Sequence, residues 1–255
     1  MKFSILNSIA LCMLPCIAYI FIIKNTLPIN SICNKISRRY FILGGILSAG
    51  IVLAISLPAW TEIIRPENYK SRMDYVWHNI LLDNAFKEEI SKLFTFVVLE
   101  FLIFKYAKLK IKNGVSYMYY YVILGMSFGF IENILYAMTH GDQILMHRSF
   151  TSLLIHTLLG AISGYFYALS CDQNIGKRPL EKQSKFSNLC DKYPYFRFII
   201  YNITGIIVVT YLHGIYNFNI VYSGDLYYPI LLTQMFMIII VSYAASRNLI
   251  NKQNK

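Results

Sequence analysis

Residues 125–133 read GMSFGFIEN and lie inside a longer apolar run, 115–138. Gly125 and Gly129 stand four residues apart, which on a helix forms a small-xxx-small surface for close helix packing. Glu132 follows seven residues after Gly125 and therefore continues the same helical face. A carboxylate at membrane depth costs roughly 2.5–3.5 kcal/mol on insertion scales, so such groups are usually functional. We expect Glu132 to face neighbouring helices rather than lipid, either in a reactive site or as a buried structural glutamate.

The composition predicts a membrane protein built from helices. Of the 255 residues, 56% are apolar and 15% are charged, whereas soluble domains carry about 25% charged residues. The expected fold class is therefore all-α, a polytopic integral membrane protein. The net charge of +11 is explained by basic cytoplasmic connections. No basic-aromatic module outside the apolar segments indicates nucleic-acid binding.

Seven apolar segments are long enough to cross a hydrocarbon core of about 30 Å. We place them near residues 3–23, 40–57, 86–104, 115–138, 149–170, 198–221 and 226–245. Lys and Arg concentrate in the connections after the first, third and fifth segments and in the tail. The positive-inside rule therefore predicts an external N-terminus and a cytoplasmic C-terminus. The simplest organisation is one membrane-embedded domain, 1–255, with a four-helix catalytic core at 86–221 and flanking segments at 1–85 and 222–255.

Other ionisable residues fall at membrane depth on three further segments: Glu88, Glu89, His156 and His213. With a rise of about 1.5 Å per helical residue, these groups and Glu132 lie about 3–12 Å below the outer ends of their segments. Segments that alternate in direction therefore deliver all of these groups to one layer. We expect them to meet near the outer face of the membrane.

Lys92 stands four residues after Glu88 and three after Glu89, so it can neutralise one of the two carboxylates. An adjacent carboxylate pair with a lysine suits general-base activation of water. The alternative is a solvated helix start, where acidic residues interact favourably with the helix dipole.

The two histidines lie on faces that also carry small or polar residues. His156, Gly160 and Gly164 recur every fourth residue, and His213 stands one turn before Asn217. Two histidines and a carboxylate with an open position form a catalytic zinc arrangement, here dispersed over separate helices. Other divalent metals also accept this donor set, and a lone membrane histidine can equally be a structural hydrogen-bonding residue.

Two further features carry no assigned role in the site. Glu100 lies about 16 Å deeper than Glu89 on the same segment, and its expected partner is Lys105 or another helix near the inner surface. A run of tyrosines fits an interfacial aromatic belt: Tyr117, Tyr119, Tyr120 and Tyr121.

The ordered set of motifs resembles the PrsW family of intramembrane metalloproteases, which is distantly related to the CAAX prenyl endopeptidases and the bacteriocin-processing and self-immunity proteins. The resemblance covers about residues 86–217, half of the chain. It rests on Glu88-Glu89-x-x-Lys92, Phe128-x-x-x-Glu132-Asn133, His156-x-x-x-Gly160-x-x-x-Gly164 and His213-x-x-x-Asn217.

The resemblance implies roles for the motif residues and a divalent metal, with zinc as the expected ion. The implied ligands are Glu132, His156 and His213. Glu88 or Glu89 is the implied base, oriented by Lys92. Asn217 then supports the metal or donates a hydrogen bond to the developing oxyanion.

The expected activity is hydrolysis of a peptide bond in a membrane-anchored protein near the outer face of the bilayer. The family's best-known activity makes an anti-sigma-factor-like regulator one candidate substrate. The alternatives are an ion- or proton-coupled transporter, and a non-catalytic immunity or scaffold protein of the same fold. The expected location is the cell membrane, with several passes, and the expected partners are the lipid bilayer and the membrane protein substrate.

Overall fold

The structure of the chain is a computed structural model, which describes most of its central part. The described residues are 35–59, 84–107, 111, 114–141, 143–171, 192–222, 236–237 and 239–249, with single positions at 13, 17, 21 and 74. The predicted segment 3–23 lies almost entirely outside these residues, and much of 226–245 does so as well.

The described regular structure is helical. The named helices are α1 (Lys35–Ala59), α2 (Phe86–Ala107), α3 (Gly114–His140), α4 (Gln143–Phe150), α5 (Ser152–Cys171) and α6 (Pro194–Tyr222). Residues 239–249 are also helical. In this part of the chain, three stretches are long and apolar enough to cross a membrane: Gly114–Met138, His147–Cys171 and Pro194–Asn219. The all-α prediction is confirmed there, while the number of seven spans and their orientation stay predictions.

The two rows of small residues, each expected to be a close-packing face, pack directly against each other. A Cβ atom at Gly160 would lie 2.6 Å from the Tyr121 carbonyl oxygen, and one at Gly164 would lie 2.5 Å from the Met118 Cα atom. Similarly, Gly125 faces the backbone of His156. Since only glycine allows this approach, α3 and α5 pack backbone to backbone and carry Glu132 and His156 into the same space.

The connection between α3 and α5 contains a turn and a short helix. Gly141 adopts a left-handed φ of 87°, and its amide donates to the Ala137 carbonyl over 2.9 Å, which ends α3 in the αL manner. The helical hydrogen bonds then run almost without interruption from α4 into α5, because the Thr151 amide donates to His147 and Ile155 donates to Thr151. Residues late in α4 therefore share a face with residues of α5.

The tyrosine run does not form an interfacial belt, so that prediction is wrong. Its four members, Tyr117, Tyr119, Tyr120 and Tyr121, are all buried in the largest apolar cluster. Tyr121 stacks on Phe96 with ring centroids 3.8 Å apart, and Tyr120 stacks on Phe41 at 4.7 Å. These rings join α1, α2 and α3 into one core.

Candidate active site

Six polar side chains from four helices form one connected group, which we call the outer cluster after the depth that the sequence predicts for it: Glu88, Glu89, Lys92, Glu132, His156 and His213. Glu88, Glu89 and Lys92 project from α2, Glu132 from α3, His156 from α5 and His213 from α6. Glu132 is partly buried, and the other five are buried. The expectation that these residues meet is confirmed.

Glu89 is held by two donors at the same oxygen. The Lys92 ammonium lies 2.7 Å from Glu89 Oε1, and His213 Nδ1 lies 2.8 Å from it. The predicted neutralisation of one carboxylate by Lys92 is thus seen at Glu89. A neutral His213 that donates from Nδ1 keeps a lone pair on Nε2, which is the arrangement of a metal-binding histidine oriented by a carboxylate.

Glu88 differs from Glu89 because one of its carboxylate oxygens makes no hydrogen bond within the described residues. Its Oε2 atom is buried and has no hydrogen-bond partner among the described residues. His213 Nε2 lies 3.7 Å from it, which is too long for a hydrogen bond. A buried, unsatisfied carboxylate oxygen is costly, so this atom needs a proton, a water or a cation that completes it.

His156 lies between a cation and a carboxylate. Its Nδ1 atom is 3.1 Å from Lys92 Nζ, and its Nε2 atom is 2.8 Å from Glu132 Oε2. Because an ammonium group can only donate, Nδ1 accepts from Lys92 and Nε2 donates its proton to Glu132. A metal bound at Nε2 would replace that proton, so loading of the site would release it.

The donor set fits a divalent cation. One ligand atom each from Glu88, His156 and His213 lie within 4.8 Å of one another, and all three residues are buried. Two imidazoles and a carboxylate are the donors that zinc and related metals accept in catalytic sites. The unsatisfied Glu88 oxygen supports the fit, since a cation there would satisfy it.

Glu132 has partners that sequence reasoning missed. Arg148 Nη2 lies 2.9 Å from Glu132 Oε2, and the Ser152 hydroxyl donates to the same oxygen over 3.2 Å. Arg148 also donates from Nε to Asn133 Oδ1 over 3.0 Å. The sequence carries part of this signal, because Arg148 and Ser152 extend the four-residue spacing of His156 toward the N-terminus, but the spacing alone does not show that the helix continues that far.

Asn217 lies one turn beyond His213 on α6 and is half-buried. The hydrogen bonds that connect the outer cluster within the described part of the chain do not include it. Its predicted role therefore stays a prediction.

Comparison with known proteins identifies the family of the chain. The sequence profile of the PrsW family intramembrane metalloproteases matches residues 36–245. The protein called Protease PrsW from Oceanobacillus iheyensis is 29% identical over 180 residues, which cover 71% of this chain and 67% of that protein. No solved structure matches the chain. The chain is therefore a multi-pass membrane protein that belongs to the PrsW family of intramembrane metalloproteases.

Proposed function

We propose that this membrane protease is a zinc-dependent endopeptidase whose metal is held by His156, His213 and one carboxylate of the outer cluster. The observation that carries the proposal is the buried donor set, in which Glu88 Oε2 lacks a partner within the described residues and two imidazole nitrogens lie close by. Carboxylates and histidines at membrane depth are costly and usually functional, which adds to this support.

The roles of Glu88 and Glu132 follow as a pair. One of the two completes the metal set and the other is the base that takes the proton from water and passes it to the leaving amine. The 4.8 Å grouping favours Glu88 as ligand, and the short Glu132–His156 distance favours Glu132. When bound, the metal supplies Lewis-acid polarisation of the scissile carbonyl.

Glu89 and Lys92 then prepare the site rather than react in it. Glu89 orients the His213 ring through Nδ1, and its Oε1 already accepts from two donors. This leaves it less suited to act as the base than Glu88. Lys92 fixes Glu89 and Nδ1 of His156 together. Asn217, one turn from His213, is proposed to support the metal or to donate to the developing oxyanion.

The proposed substrate is a membrane-anchored protein cut near the outer face, with an anti-sigma-factor-like regulator as one candidate. This placement rests on the asymmetry of Lys and Arg, which predicts an external N-terminus. Together with the alternation of the segments, it puts the outer cluster in the external half of the bilayer.

The substrate is sought by comparing the membrane proteomes of cells that carry wild-type protein with those that carry Glu88→Gln. We expect a truncated single-span protein in wild-type cells alone. Glu100→Gln is the matched control, because Glu100 is a carboxylate of the same helix that contacts Tyr117 and Tyr167 rather than the outer cluster. Biological function that persists without any cleaved protein would favour a scaffold or transporter instead.

The metal is tested on purified protein in liposomes, with that substrate and with a chelator present or absent. Chelation is expected to stop cleavage, and zinc to restore it. Metal content then assigns the carboxylates: the ligand variant among Glu88→Gln and Glu132→Gln loses zinc, whereas the base variant keeps zinc and loses turnover. Cleavage that survives complete metal removal would contradict zinc dependence and leave a carboxylate-only mechanism.

A further inference from the structure

Arg148 is a buried arginine that belongs to none of the sequence motifs and yet touches the outer cluster. It lies near the end of α4 with only 8% of its surface exposed. Its Nη2 atom contacts Glu132 Oε2 at 2.9 Å and donates to Ser152 Oγ at 3.1 Å. Burying a guanidinium group costs free energy unless its N–H donors are paired with acceptors in a specific arrangement.

The guanidinium is itself held from two other sides. Nε donates to Asn133 Oδ1 over 3.0 Å, and Asn133 Nδ2 donates back to the Arg148 carbonyl oxygen over 3.3 Å. The ring of Tyr136 lies under the guanidinium carbon, 3.6 Å from its centroid. Asn133 and Tyr136 both belong to α3, as Glu132 does. Arg148 therefore has a fixed orientation, which it can impose on Glu132.

Glu132 Oε2 receives three contacts, from Arg148, Ser152 and His156. All three lie on the α4–α5 row, and the third, His156, is a candidate metal ligand. A carboxylate held in this way presents one oxygen to the histidine in a single orientation. Residues that fix a ligand from behind are typical of metal sites, and their loss typically costs about 10–100-fold in metal affinity or activity.

We propose that Arg148 is a positioning residue of the active site, which holds Glu132 Oε2 against His156. The proposal deepens the proposed function and rests on it for its consequence in catalysis. The contact is made directly between the Arg148 and Glu132 side chains, so it can be tested separately from zinc binding.

The first measurement uses the full-length, metal-free protein in liposomes, with ¹⁵N-labelled histidine and solid-state NMR. The His156 and His213 ring signals are assigned by their loss in His156→Gln and His213→Gln. Arg148→Gln is expected to shift the ring signals of His156 clearly more than those of His213. The matched control is Arg197→Gln, another buried arginine, whose Nε donates to the Leu169 carbonyl at the far end of α5. Unchanged His156 signals in Arg148→Gln, or equal changes in the control, would overturn the proposal.

A milder variant keeps the test valid if Arg148→Gln does not fold. Asn133→Ala removes one hydrogen bond to the guanidinium and leaves the arginine in place. We expect a smaller shift of the His156 signals in the same direction. Arg148→Lys keeps the charge without the planar fork, and is expected to restore the wild-type signals only in part.

The second measurement is the zinc affinity of the same proteins. If Glu132 is the metal ligand, Arg148→Gln is expected to weaken zinc binding about 10–100-fold; if Glu132 is the base, zinc binding should hold and the cleavage rate should fall by this factor. The double variant Glu132→Gln/Arg148→Gln is expected to bind no more weakly than Glu132→Gln alone, since one residue acts through the other. Effects that multiply in the double variant would contradict action through Glu132. A wild-type protein that binds no zinc would refute the proposed metal site, while the NMR result would still decide the role of Arg148.

Discussion

The helix α2 carries buried or half-buried glutamates at two levels, and their surroundings differ. Glu88 and Glu89 belong to the outer cluster, with a lysine and histidines. Glu100 forms a second group, which we call the tyrosine cluster, with Tyr117 and Tyr167. Tyr117 donates to one oxygen of Glu100 over 2.7 Å, and Tyr167 donates to the other over 2.5 Å.

The difference lies in what is left unsatisfied. Each carboxylate oxygen of Glu100 accepts a hydrogen bond from a tyrosine hydroxyl. The tyrosine cluster therefore connects α2, α3 and α5. In the outer cluster, Glu88 Oε2 remains without a partner among the described residues. A closed set of hydrogen bonds stabilises a fold, whereas an open atom is available to a metal, a water or a substrate. Membrane depth alone therefore does not identify a reactive carboxylate.

The largest expected effect separates the two clusters by activity. Glu88→Gln removes a charge that the site needs as base or ligand, and we expect cleavage to fall about 10²–10⁴-fold. Glu100→Gln should stay within about twofold, because an amide can still accept from one tyrosine. The initial cleavage rates of the two variants in liposomes test this difference between Glu88 and Glu100. A Glu100→Gln variant as inactive as Glu88→Gln would end the distinction between the clusters.

The next effect concerns stability. Lys92→Met leaves the Glu89 carboxylate buried without its cation, and removing one partner of a buried ion pair typically costs about 3–5 kcal/mol. We expect the free energy of unfolding in detergent to fall by this order. Glu89→Gln combined with Lys92→Met should recover part of the loss, because neither charge of this ion pair then remains. A double variant no more stable than Lys92→Met would show that charge burial is not the cause.

A smaller effect is expected at the glycine rows. A Cβ at Gly129 would lie 2.7 Å from Cδ2 of His156, and forcing atoms into a packed site typically costs about 1–3 kcal/mol. Gly129→Ala should therefore lower both stability and zinc affinity. Gly164→Ala meets the backbone of Met118 instead and should lower stability alone. Gly50→Ala, with no described atom within 4 Å, serves as the neutral control for both measurements.

The smallest effect is expected within the tyrosine cluster. Tyr167→Phe removes one hydrogen bond to Glu100, and a hydrogen bond to a charged group contributes about 1.5–3 kcal/mol at most. Since Tyr117 still donates to the other oxygen, we expect the free energy of unfolding to fall by an amount at the low end of this range. The cleavage rate should not change. Thermal unfolding and cleavage are measured on the same preparation. A cleavage rate that falls while stability holds would connect the tyrosine cluster to catalysis.

Much of the site could be predicted because charge at membrane depth is conspicuous in an apolar chain. The free-energy cost of placing an ionisable group in the bilayer is enough to single out five residues: Glu88, Glu89, Glu132, His156 and His213. Helical spacing then predicts that Lys92 contacts one of the two adjacent glutamates. Arg148 could not be recognised in the same way, because it precedes the predicted segment 149–170 and so falls in a predicted external connection. The hydrogen bonds that carry α4 into α5 decide that it belongs to the His156 row, and no composition rule reports them.

The tyrosine run shows where the sequence is ambiguous. Tyrosine suits a membrane interface and a buried core for the same reason, because its ring is apolar and its hydroxyl is polar. Whether Tyr121 meets headgroups or Phe96 depends on how α2 packs against α3. That packing is a tertiary property, and the partner of Glu100 could not be predicted for the same reason.

The lack of a side chain at Gly129 gives a criterion for judging relatives of this chain. The His156 ring fills the space that a side chain at this position would take, with Cδ2, Cβ and Cγ all nearby. A relative that keeps every acidic and histidine residue but carries a larger residue here could not seat the imidazole in the same way. The glycine, which has no chemistry of its own, therefore distinguishes chains able to assemble the site from those that merely retain its residues.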